Sequence, residues 1–242
     1  MRIDKLISNM GFCSRKEVKN YIKNKKITIN NNLVNSPNTY VDVQNDIIYF
    51  CGKKVNYQKY IYLVMNKPSG YVCANIDNIN KTVFDIISNE YNKKQLFVAG
   101  RLDKDTEGML IITNNGKFAH NMLSPKKHVD KKYFVITKGG IITNDDIDLI
   151  SKGVTIKVDN TDYKCKTANI DIVSNGFISE CFITISEGKF HQVKKMFLAI
   201  GKEVTYLKRV QIGNFELDSS INIGEYRNIS DYELELIGVD LY

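Results

Sequence analysis

A chain of 242 residues with 43% hydrophobic and 25% charged side chains has the make-up of folded globular proteins, which excludes disordered, collagen-like and low-complexity classes. Its length fits one large or two smaller domains. No apolar run approaches the ~18 residues of a membrane span, and the N-terminus carries no apolar signal core, so the reading is an unexported, cytoplasmic protein without membrane contact.

The net charge of +7 is lopsided. Residues 1–57 carry ten Lys/Arg against four Asp/Glu, and the remaining chain is almost balanced. A small basic module joined to a near-neutral body points to an anchor for a polyanion, nucleic acid first among them. The five cysteines, at 13, 51, 73, 165 and 181, form no zinc, CxxC or disulfide pattern and read as core thiols. Lysine outnumbers arginine 29 to five, so each retained arginine is a candidate for what lysine cannot do, such as gripping a carboxylate with two N–H groups.

In chain order, Ile3, Leu6, Ile7 and Met10 give the stripe of a short helix that Gly11 ends. Ser14 to Glu17 is a capping box opening a second helix to about Asn24, with Val18, Tyr21 and Ile22 inward and lysines outward. A strand at Ile27 to Asn30, a turn at Asn31 and Asn32, and a strand at Ile47 to Phe50 complete the module, and Lys53 to Lys59 reads as a linker. This predicts domains at 1–58 and 59–242.

The second region opens with a strand at Ile61 to Met65 and a tight turn through Pro68 and Gly70. A short helix is expected at 82–89, strands at 96–99 and 109–113, a turn at Asn114 to Gly116, and a helix at 117–123. Then follow a strand at 133–137, a helix at 144–152, strands at 164–173 and 178–185, a helix around 190–200, and strands from Arg209 to Tyr226. Strands outnumber helices and interleave irregularly. The expected class is α+β, with a mainly antiparallel mixed β-sheet flanked by helices.

The segment 100–108 (GRLDKDTEG) alternates Asp103, Asp105 and Glu107. A calcium loop fails because its twelfth position would be Asn114 rather than a bidentate Glu, so no metal site is read here. An acidic surface hairpin is the plain alternative. Arg101, two residues before Asp103, would hold that carboxylate ionised and oriented, as a nucleophile or general base requires.

Ala99 to Gly116 (AGRLDKDTEGMLIITNNG) closely resembles the signature of RsuA-type pseudouridine synthases (the RsuA/RluB/RluE/RluF family). Met65 to Tyr71 (MNKPSGY), Ser124 to Val135 (SPKKHVDKKYFV) and Ser186 to Phe197 (SEGKFHQVKKMF) resemble three further segments of that family, in its order. Arg2 to Leu6 (RIDKL) and Ser14 to Glu17 (SRKE) are similar to an S4 RNA-binding domain.

The resemblance implies an isomerase that cleaves the N1–C1′ bond of an RNA uridine, rotates the uracil and rejoins it through C5, with no cofactor. It implies that Asp103 is the catalytic carboxylate, attacking C1′ or abstracting the C2′ proton. Arg101 would be its adjacent partner, Tyr133 would stack on the uracil, and Lys194 would be a basic group beside the carboxylate. Arg2, Lys5, Arg15, Lys16, Lys19, Lys23, Lys195 and Gln192 would bind RNA, while His191 reads as a structural histidine.

The implied partner is ribosomal RNA or a ribosomal subunit precursor, met by a monomer. The implied target is uridine 516 of small-subunit (16S) rRNA. Large-subunit (23S) rRNA, or a non-catalytic ribosome-assembly role, is the alternative.

Overall fold

A computed structural model of the chain describes residues 1–89, 91–124 and 126–239. It separates into two compact units, one formed by Met1–Ile61 with Ile87–Leu96, the other by Tyr62–Ile86 and the chain from Phe97 onward.

In the first unit, α1 (Ile3–Asn9) and α2 (Arg15–Lys23) precede a small antiparallel sheet of β1 (Ile27–Ile29), β2 (Asn32–Leu33), β3 (Ile48–Phe50) and β4 (Lys53–Lys54), in the order β2-β1-β3-β4. The expected capping box forms: Ser14 Oγ accepts from Glu17 N, and Glu17 Oε2 accepts from Ser14 N at 2.8 Å. Ile3, Leu6, Ile7, Val18, Ile27 and Ile48 fill the core beneath it.

Two local readings are corrected. The turn sits at Asn30 and Asn31, both with positive φ, because paired left-handed residues match strand twist in a two-residue hairpin. Lys53 and Lys54 are not linker but strand, and Val55, 6% exposed, belongs to this core.

The second unit is built on β5 (Tyr62–Lys67), β6 (Phe97–Ala99), β7 (Glu107–Thr113), α3 (Gly116–Leu123), β8 (Lys131–Lys138), α4 (Asn144–Ser151), β9 (Thr155–Val158), β10 (Thr161–Lys164), β11 (Asn169–Ser174), β12 (Ile178–Ile185), α5 (Gln192–Ala199), β13 (Glu203–Ile212), β14 (Phe215–Glu216), β15 (Tyr226–Asn228) and α6 (Asp231–Leu236). Its main sheet runs β11-β12-β8-β13-β7-β5-β15, with β14 on β13 and β6 on β7. Pairing is antiparallel except between β13 and β7. The class is α+β, as expected.

The central strands β5 and β7 are buried along nearly their whole length, which is why 109–112 reads as an unbroken apolar run rather than an alternation. By contrast β8 and β12 alternate with period two.

The helix expected at 82–89 is a single 3₁₀ turn, Val83–Asp85. The strand expected at 164–173 is two strands, and β9 pairs with β10 as a separate hairpin that periodicity does not separate. Of the five cysteines, Cys165 and Cys181 are core thiols, whereas Cys51 is exposed at a left-handed turn position.

Candidate active site

The loop between β6 and β7 carries Asp103, and it is held from three sides. Beneath it lies Lys67, wholly buried, whose Nζ donates to the carbonyls of Thr106 (2.8 Å), Pro68 (3.0 Å) and Lys104 (3.2 Å). Burial pushes this ammonium below its ordinary pKa, and three carbonyl dipoles take the place of a carboxylate partner. From β13, Arg209 (2% exposed) donates Nε to the Met109 carbonyl at 2.8 Å and NH2 to the Gly100 carbonyl at 2.7 Å. One guanidinium therefore ties the two ends of the loop together. On the third side, Gly70 N donates to Lys104 O at 2.8 Å, and Leu102 N points at Cys73 Sγ at 3.4 Å.

Gly108 makes the Arg209 clamp possible. It has φ +98° and lies opposite Arg209 in the parallel β7–β13 register, where a Cβ would fall onto the Arg209 carbonyl oxygen. Only glycine tolerates both conditions.

So held, Asp103 meets α5. Lys194 Nζ is 3.2 Å from Asp103 Oδ2 and 2.6 Å from Asp105 Oδ1. Burial works against ionisation of Asp105, but the hydrogen bond and charge of Lys194 outweigh it and hold the carboxyl below its usual range. His191 Nε2 lies 3.5 Å from Asp103 Oδ1. The histidine is the α5 N-cap in left-handed conformation (φ 53°), stacked on Phe190 with ring centroids 3.8 Å apart. This corrects its reading as a structural histidine: the ring faces the carboxylate.

Tyr133 projects from the buried face of β8, paired with Arg209 on β13 and Ile183 on β12. It shares with Asp103 the lining of a cleft of about 680 Å³, within the usual range of small-molecule sites. Arg101 lines the same cleft but is exposed, and among the described residues no hydrogen bond or ion pair joins it to Asp103. The expectation that Arg101 orients Asp103 is corrected. Lys194 and His191 flank the carboxylate, brought in by tertiary packing from about 90 residues along the chain.

The chain belongs to the RNA pseudouridylate synthase family. A family model of RNA pseudouridylate synthases matches residues 61–199, and an S4 domain model matches residues 1–48. The chain is 43% identical over 98% of both chains to an uncharacterized RNA pseudouridine synthase, YtzG, of Bacillus subtilis. It is 35% identical to ribosomal small subunit pseudouridine synthase A of Vibrio vulnificus, over 98% of this chain and 99% of that one. A crystal structure of a pseudouridylate synthase superposes with a TM-score of 0.67 at 32% identity, covering 98% of this chain and 99% of the other.

For this pseudouridine synthase the remaining sequence candidates fall into two groups. Lys5, Arg15, Lys16, Lys19 and Lys23 are exposed on α1 and α2. Arg2 is committed to Asp4 through Nε (3.1 Å) and NH2 (2.6 Å). Lys195 sits over the Phe190 ring, 5.0 Å from its centroid.

Gln192 is corrected. It is 3% exposed, its Oε1 accepts from Lys189 N at 2.8 Å and its Nε2 donates to Glu187 at 2.6 Å, so it braces the loop before α5 and offers RNA no surface. Within the segment Ser124 to Val135, Pro125 lies outside the described residues. Lys67 and Arg209 were passed over in the sequence, although arginine scarcity was a signal for Arg209.

Proposed function

We propose that this pseudouridine synthase acts on small-subunit rRNA, with uridine 516 as the target. The support is that relatives aligned over nearly the full chain, from Vibrio vulnificus and Escherichia coli, are named ribosomal small subunit pseudouridine synthase A. Residues 1–58 serve as the RNA-anchoring domain and 59–242 as the catalytic one, of which 90, 125 and 240–242 lie outside the described residues. The enzyme works where ribosomes are assembled, in the cytoplasm, and among the described residues no helix is long and apolar enough to cross a membrane.

The observation that carries the residue assignment is one cleft lined by Asp103 and Tyr133, with Lys194 Nζ 3.2 Å from the Asp103 carboxylate. The isomerisation leaves the same atoms on both sides, so the chemistry needs one well-placed carboxylate and a closed pocket. Asp103 is that carboxylate, attacking C1′ or taking the C2′ proton. Lys194, 3.2 Å away, aims it. Tyr133 gives the uracil a face to stack on while it turns. Arg101, exposed at the cleft and without a carboxylate partner among the described residues, faces the RNA. Extracting the nucleotide from its stack costs roughly a few kcal/mol, offset by phosphate contacts of the basic first domain.

Pseudouridine mapping on both bacterial rRNAs, and on an assembled small-subunit precursor, tests this with wild type and Asp103→Asn. A single Asp103-dependent pseudouridine in 16S rRNA is expected. The same product in 23S rRNA would move the target to the large subunit, product that persists in Asp103→Asn would sink the residue assignment, and binding without product by wild type would sink the reaction assignment in favour of a non-catalytic ribosome-assembly role.

A further inference from the structure

The buried face of β8 carries Lys131, Tyr133, Val135 and Thr137 in strict alternation. Lys131 is out of keeping with its place. Its cross-strand neighbours are Ile185 on β12 and Ile212 on β13, themselves 3% and 1% exposed, and Lys131 is 6% exposed. Among the described residues no hydrogen bond or ion pair meets its ammonium.

The charges that reach it from surrounding elements are Arg209 and Lys166, which repel it, and Asp130 and Glu187, which attract it. Glu187 is already occupied, accepting from Tyr163 Oη (2.7 Å), Lys166 N (2.9 Å) and Gln192 Nε2 (2.6 Å). Burial, followed by the charge of Arg209, pushes the Lys131 amine down to about 8. A desolvated cation without a partner is costly, and such groups concentrate where a ligand completes them.

Lys131 lines the same cleft as Asp103 and Tyr133. It lies one pleat along from Tyr133, about 7 Å, far enough to pass a base stacked on the tyrosine and reach the backbone of that nucleotide. Arg209 also lines the cleft, but its Nε and NH2 are engaged by carbonyls. Uracil is neutral, and an anion offsets a desolvated ammonium more fully than a single neutral acceptor does. The anion an RNA substrate brings is its phosphodiester.

We propose that Lys131 anchors a phosphodiester flanking the target uridine, an inference that rests on the pseudouridine synthase reading of this cleft. Burial of the Lys131 amine among apolar neighbours carries a cost that a bound phosphodiester relieves.

The test is a double-mutant cycle. Wild type, Lys131→Met and Lys131→Arg are assayed on an RNA fragment carrying the target uridine, with a normal phosphate or a neutral methylphosphonate at each flanking linkage in turn. In Lys131→Met the loss should fall on KM, about tenfold, more than on kcat. The slope of affinity against log salt should shrink by about one, and Lys131→Arg should recover most of the loss. One methylphosphonate should cost wild type a similar factor and cost Lys131→Met almost nothing further.

The melting temperature of free Lys131→Met should match or exceed wild type, since an amine is removed from an apolar place. Additive losses, a loss confined to kcat, or a lowered melting temperature would overturn the anchor. If wild type modifies no RNA, the reaction assignment is what fails. The same cycle is then read from Kd, where additivity still refutes the anchor and non-additivity still supports it.

Discussion

Lys194 stands between two carboxylates, and its closer contact is to the more exposed one: 2.6 Å to Asp105, whose side chain is 70% exposed, against 3.2 Å to Asp103, at 23%. A cation shared in this way is held by Asp105 and directed at Asp103. Exposed ion pairs contribute little, so the value of Lys194 lies in its effect on the less exposed carboxylate. Lys194→Met should lower kcat by about 10²-fold, the scale of losing one preorganised charged partner at a reacting centre. Lys194→Arg should retain most of the rate. Asp105→Asn should cost no more than about threefold. Single-turnover rates of pseudouridine formation separate the three, and an Asp105→Asn loss equal to that of Lys194→Met would contradict the division of labour.

Arg209 joins the two ends of the Asp103 loop through two charged hydrogen bonds to carbonyls. Such bonds are worth about 1.5–3 kcal/mol each, and a buried carbonyl left unpaired adds its own penalty. Arg209→Lys offers one point charge for two fixed carbonyls. It should lose about 2–3 kcal/mol in denaturant unfolding and lower kcat more than it raises KM, because the loop rather than the binding surface loosens. A variant as stable as wild type with normal kcat would show that the loop does not need the clamp.

The acid limb of stability should depend on Glu233. Its carboxyl, on α6, accepts from Arg227 NH2 at 2.7 Å and NH1 at 2.9 Å and from Ser230 N at 2.8 Å. The Arg227 bond leads the effects that lower its pKa from 4.5 to about 2. Because the folded value is depressed, the contribution is fully present above about 4.5 and is lost as pH falls toward 2. Urea unfolding at closely spaced pH values should therefore show a gap between wild type and Glu233→Gln that is constant above pH 5 and closes below it. A gap that stays constant to pH 2 would show that the ion pair contributes nothing.

The first domain should act on affinity alone. Lys16, Lys19 and Lys23 are exposed on α2, around buried Val18 and Ile22. Replacing all three with alanine should weaken rRNA binding at every sequence tested. It should also reduce the salt slope by up to about two to three, since each neutralised phosphate contributes somewhat less than one. Melting temperature and kcat at saturating RNA should hold. A selective loss at one sequence would indicate base reading instead.

Local patterns made much of this molecule legible. The capping box at Ser14 and Glu17, the β5 turn through Pro68 and Gly70, and the motif around Asp103 are encoded by residues adjacent in the chain, so their hydrogen bonds and periodicity appear in the letters themselves. The Lys53–Lys54 strand was not, because two exposed lysines carry no alternation and only pairing with Tyr49 and Phe50 makes them a strand. The one-turn helix at Val83 looked longer for the same reason: propensity was visible and tertiary termination was not.

By itself the sequence determined the basic N-terminal module, the α+β class and the place of the acidic loop, since these depend on composition and short-range spacing, and the resemblance of its motifs pointed to the family. The tertiary structure decided which groups meet at Asp103. Arg101 is two residues from it and, among the described residues, no hydrogen bond or ion pair joins the two, whereas Lys194 and His191 arrive from α5, Lys67 from β5 and Arg209 from β13. Sheet order and register set those meetings. The same register placed Lys131 between Ile185 and Ile212, in a site no spacing rule marks, because a strand's neighbours across the sheet are unrelated to its neighbours along the chain.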